Sequence, residues 1–130
     1  MATISVVSPA RVRLLLLNAL ELFSKGSDDG KFWVQGTERT SSPVLGQRYG
    51  YCSIGAIRNV PGFDERERHA AEAALAKMIG RDWYSDYSDT EIDEDPALAE
   101  DVIVNANDAE EMEFSRIRSW FSSAASFVKK

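Results

Sequence analysis

The chain has 130 residues, 44% hydrophobic and 28% charged, which suits one domain of ordinary size and excludes a wholly disordered chain. Fifteen Lys and Arg stand against 21 Asp and Glu, a formal net charge of −6; this argues against direct binding to nucleic acid or an anionic membrane and favours a basic partner. One cysteine, Cys52, and one histidine, His69, exclude an internal disulfide scaffold and the Cys/His sets of structural zinc, so any bound metal would need oxygen ligands; no cofactor is expected, and a reducing cytoplasm is the natural compartment.

Met1 to Val7 lacks a basic leader, the apolar run Leu14 to Leu17 is too short to span a bilayer, and no small-x-small cleavage pattern follows it. Ser8-Pro9 predicts a helix start, because a serine oxygen caps exposed N–H groups and proline suits the first turn. The helix runs to about Ser24, with Val12, Leu15, Leu16, Ala19, Leu22 and Phe23 on one face, and Lys25-Gly26 as its stop. Lys31 to Gln35 reads as a short strand; a second extended piece near Val44-Leu45 or Arg48 to Tyr51 would complete a small β-hairpin. From Cys52 about two turns of helix are expected, ending at Val60-Pro61-Gly62. Asp64 and Glu67 form a capping box that opens an alanine-rich helix to about Ile79, closed by Gly80. Asp95-Pro96 opens a short helical turn, and Val102-Ile103-Val104 reads as a buried strand or a hydrophobic staple. Asn107 or Asp108 caps a last helix whose buried stripe is Met112, Ile117, Trp120, Phe121, Ala124, Phe127 and Val128.

Between Asp82 and Glu113 lie thirteen acidic residues and no Lys or Arg. The segment from 82 to 101, expected as a loop or insertion, also carries Trp83, Tyr84 and Tyr87, and aromatic residues within an acidic surface suit capture of a basic protein. Its candidate partner-binding residues are Trp83, Tyr84, Asp86, Tyr87, Asp89, Glu91, Asp93 and Glu94. Three other readings stand beside this one: a surface imitating the phosphate rows of nucleic acid, a solvated loop whose aromatic residues fold back on the core, and a calcium loop in which Asp89, Glu91, Asp93 and Glu100 take ligand positions. The calcium match is poor, since Glu94 stands where the turn needs glycine and Pro96 interrupts the loop. Mutual repulsion within the run predicts that reversing Asp89, Glu91, Asp93 and Glu94 to lysine leaves the fold intact or stabilises it.

Cys52, at the expected start of a helix, would stand where the dipole and exposed N–H groups lower a thiol pKa, and Asn107-Asp108 would offer amide and carboxylate groups at a helix N-terminus. These three residues are the alternative catalytic set of a small enzyme or ligand-binding protein. His69 lies in a charged stretch remote in sequence, and burial and capping explain Cys52, Asn107 and Asp108 without chemistry. Phosphate loops, nucleophile elbows and paired-histidine motifs are absent.

Tyr51-Cys52-Ser53-Ile54-Gly55-Ala56-Ile57, together with Val102 to Asp108 before a final helix, resembles a family of small actinobacterial and tailed-phage proteins. That family is marked by Trp-Cys-x-x-Gly-Ala-Leu and by Trp-Asn-Asp; the two tryptophans are Tyr51 and Ala106 here. The resemblance implies a bacterial or phage-encoded cytoplasmic protein acting on host processes, and no reaction. The overall expectation is a mainly α (α+β) single domain of about four helices with a small β-hairpin, working as a non-enzymatic binding protein.

Overall fold

A computed structural model describes residues 7–24, 33–36 and 50–128. Within them six helices follow in order: α1 (Pro9–Ser24), α2 (Ser53–Arg58), α3 (Glu65–Asp82), α4 (Asp89–Glu94), α5 (Pro96–Asn107) and α6 (Phe114–Phe127). The long α3 is the centre of the packing, in contact with each of the other five.

Local chemistry accounts for most helix starts. Ser8 Oγ accepts from Arg11 N at 3.4 Å at the head of α1, whose Val12, Leu15, Leu16, Ala19 and Phe23 are buried. Cys52 caps α2, with its sulfur accepting from Gly55 N at 3.4 Å, and Ser53 to Ile57 are buried almost throughout. Gly62 adopts φ +90°, a left-handed conformation that glycine takes without steric cost, and this turns the chain from α2 into α3. The expected capping box opens α3: Glu67 N donates to Asp64 Oδ1 at 2.8 Å and Asp64 N to Glu67 Oε1 at 2.9 Å. The core closes through edge-to-face contacts of Phe23 with Phe121 and Phe114, ring centroids 5.6 and 5.4 Å apart.

Several expectations need correction. Trp33 pairs with Tyr51 in one isolated parallel bridge; a hairpin requires antiparallel strands, so these two residues are not the two arms of one. Val34, Gln35 and Gly50 lie in no strand, and the other residues of the expected hairpin, with Lys25-Gly26, lie outside the described residues. Gly80 does not stop α3, which continues to Asp82; a Cβ there would stand 3.0 Å from Ser85 Cβ, so the glycine admits the returning chain. The acidic segment is largely helical. Ser88 and Glu91 form a second capping box, at 3.2 and 2.8 Å, and Asp95 caps α5 with Pro96 in its first turn.

Val102-Ile103-Val104 is neither strand nor staple but the middle of α5, where Val102 and Ile103 are buried with Ala99 and Ala106 at helical spacing. Asn107 and Asp108 terminate α5 rather than cap α6, which starts at Phe114 behind Glu113 without a side-chain cap. The buried stripe of α6 holds at Ile117, Trp120, Phe121 and Ala124, but Phe127 is exposed and Val128 only half-buried.

Candidate functional site

The acidic, aromatic face is built by the turn after α3, by α4 and by the start of α5. Tyr84 is 58% exposed, while Trp83 and Tyr87 are half-buried. Trp83 leans on the core, its ring 6.2 Å from that of Trp120. The Tyr84 hydroxyl donates to Asp86, and the Tyr87 hydroxyl to Asp101 Oδ2 at 3.0 Å. Each phenol is pushed above its usual pKa, first by the hydrogen bond to its carboxylate and then by the charge of that carboxylate.

Asp86, Asp89, Glu91, Asp93 and Glu94 are all exposed, but they are not equivalent. Lys77 Nζ lies 2.8 Å from Asp93 Oδ1 and Arg81 3.0 Å from Asp89 Oδ2, so α3 staples α4 at two points. Glu91 serves its own helix through the capping box. Among the described residues Asp86 and Glu94 make no ion pair. The calcium spacing does not survive the fold: Asp89, Glu91 and Asp93 alternate on a helix, and side chains two apart do not face each other. No group of three or more His, Cys, Asp or Glu among the described residues is placed to hold a metal ion.

The alternative set sits elsewhere, where α2 meets the end of α5. Asn107 is 1% exposed, and its Oδ1 accepts from Trp33 Nε1 at 2.6 Å, Ser53 Oγ at 2.7 Å and Ser53 N at 3.0 Å. Its Nδ2 donates to Val34 O and to Asp108 Oδ1, both at 3.0 Å. Asp108 Oδ1 also accepts from Gly36 N at 2.8 Å, and Gln35 Nε2 donates to the carbonyls of Asn107 and Ala109. These groups are engaged in pinning residues 33–36 to the helices. Cys52, adjacent to Ser53, is buried. His69 lies on α3, with Nε2 3.7 Å from Glu65 Oε2.

A third cluster escapes sequence reading. Arg58, at the end of α2, bridges Glu72 of α3 at 3.2 Å and Glu100 of α5 at 3.0 Å. Glu72 is fully buried within an alanine-rich stretch that reads as an exposed charge in sequence, and burial pushes its carboxyl up despite Arg58. The only sequence signal is position: Glu72 shares the spacing of buried Leu75, Ala76 and Ile79. An apolar groove of about 380 Å³, lined by Val7, Val12, Ala70 and Phe127 among others, lies apart from the polar groups of these clusters.

No protein-family model, curated protein or solved structure matches the chain. No helix among the described residues is long and apolar enough to cross a membrane.

Proposed function

We propose that the chain is a non-enzymatic protein that binds a basic protein partner through the acidic face of α4 and its flanking turns. The observation that carries this reading is Tyr84, a large aromatic side chain standing 58% exposed beside Asp86, with the exposed carboxylates of α4 close in sequence. Carboxylates attract a basic surface over a distance, and an exposed ring adds apolar area and a face for an arginine or lysine. The ion pairs of Asp89 and Asp93 give the face a rigid support on α3 and leave Asp86 and Glu94 to meet the partner. The enzyme alternative draws less support, because Cys52 is buried and the polar atoms of Asn107 are taken up by Trp33, Val34, Ser53 and Asp108.

The resemblance to actinobacterial and phage proteins makes a bacterial lysate the material to screen and the host cytoplasm the proposed compartment. The immobilised chain should capture a basic protein at low salt, and capture should weaken as salt screens the face over a Debye length of about 10 Å at 0.1 M. Tyr84→Ala and the double variant Asp86→Lys, Glu94→Lys should each reduce capture of that same protein, the double variant chiefly through the association rate. Equal capture by wild type and both variants would sink the reading.

A further inference from the structure

The first half of α3 descends into the molecule along one stripe. Glu65, Arg68, His69 and Glu72 recur at i, i+3, i+4 and i+7, the spacing that keeps side chains on one helix face. Side-chain exposure falls from 78% at Glu65 through 37% at His69 to 1% at Glu72. Arg58 closes the inner end from α2, and these five residues line a polar cleft of about 420 Å³.

Both ends of the cleft carry specific chemistry. At the floor, Glu72 Oε2 accepts from Arg58 Nε at 3.2 Å, while Oε1 is buried and has no hydrogen-bond partner among the described residues. Native structures seldom leave a buried carboxyl oxygen in that condition unless a water, ion or ligand completes it. Nearer the mouth, Arg68 donates one N–H to Phe63 O at 2.5 Å, and a guanidinium has further donors to offer an anion. The imidazole of His69 adds another polar group beside it.

We propose that this cleft binds a small zwitterion of amino-acid size, with its ammonium group directed to Glu72 and its carboxylate held by Arg68 and His69. The lining favours the class: a plain anion supplies no donor to Glu72 and meets Glu65, whereas a plain cation leaves the further donors of Arg68 unused. The volume falls at the low end of the range of ligand pockets, which fits a single amino acid better than a folded partner. The site uses the opposite half of α3 from Lys77 and Arg81, so it stands independently of the acidic face.

The test is thermal melting of the full chain with each standard free amino acid at millimolar concentration, followed by calorimetry on any that stabilise it. At least one should raise the melting temperature saturably. Its methyl ester, lacking the carboxylate, and its des-amino analogue should each bind about tenfold more weakly or worse. Arg68→Ala and Glu72→Gln, with folding confirmed by circular dichroism, should weaken binding of the parent amino acid to a similar extent. The proposal is overturned if none of the amino acids stabilises the wild type, if the ester and des-amino analogue bind as tightly as the parent, or if both folded variants bind unchanged.

Discussion

The indole N–H of Trp33 donates to Asn107 Oδ1 at 2.6 Å, joining residues 74 apart in the chain. The same oxygen takes the N–H and the hydroxyl of Ser53, so one buried amide ties residues 33–36, the start of α2 and the end of α5. Asn107→Ala would strand three donors and the carbonyl of Val34. Each buried group left without a partner costs about 1–3 kcal/mol, so a loss of about 3 kcal/mol or more is expected, against about 1 kcal/mol for Ser53→Ala. Urea unfolding followed by tryptophan fluorescence checks this; an Asn107→Ala midpoint equal to wild type would show that the hub contributes nothing.

Arg11 grips both oxygens of Glu67, at 2.8 and 3.0 Å, and also donates to Gly62 O at 2.7 Å. The Arg11 hydrogen bond, then that from Asp64 N, holds the Glu67 carboxyl down from its ordinary 4.5 to about 2. A carboxyl lowered on folding contributes stability above its unfolded pKa and loses it as pH falls through the folded value. Glu67→Gln should therefore melt below wild type at neutral pH, with the gap closing between pH 4.5 and about 2. A constant gap across that range would mean that the charge of Glu67 is not what matters.

Glu72 has the opposite sign. Burial raises its carboxyl, so its contribution is fully present below 4.5 and is lost as pH rises through the raised folded value. Glu72→Gln keeps the shape and removes the buried charge. Relative to wild type it should gain stability as pH rises from 4 to 8, measured by thermal melts across that range. A variant that instead loses ground with rising pH would show that the Arg58 ion pair outweighs desolvation.

Charge reversal at Asp89, Glu91, Asp93 and Glu94 together, neutral or stabilising if repulsion alone governs, is now expected to destabilise. It breaks the pairs with Arg81 and Lys77, which at the surface contribute up to about 1 kcal/mol each, and the capping box of a six-residue helix. Ser88→Ala alone should cost about 1 kcal/mol. Chemical denaturation of both variants decides it; a quadruple variant more stable than wild type would restore the repulsion argument.

Cys52 is 5% exposed and its sulfur accepts from the N–H of Gly55. Alkylation of the native thiol should be slow and should accelerate on denaturation. Rapid labelling of the folded chain at neutral pH would mark Cys52 as a reactive thiolate and revive the enzyme reading.

Rules that act within a helical turn made much of the fold legible. Ser8-Pro9 opens α1, Asp64 and Glu67 open α3, and the apolar spacing of α1 and of Ile117 to Ala124 marks the buried faces. Ser88 and Glu91 carry the same capping-box spacing, but Glu91 also falls at a ligand position of a calcium loop, and spacing alone does not choose between the two. Val102 to Val104 shows the weakness of a short window: three β-branched residues read as strand until Ala99 and Ala106 extend the period to that of a helix. Asn107-Asp108 suits either end of a helix by local chemistry, and the choice fell to Trp33 and Ser53, 74 and 54 residues away. Gly80 likewise has the composition of a stop and the role of a close approach to Ser85. Partners such as Lys77 with Asp93, or Arg58 with Glu72, leave no trace in spacing. Their meeting depends on which helix faces the core selects, and that selection is made by burial of the apolar stripes of several helices at once.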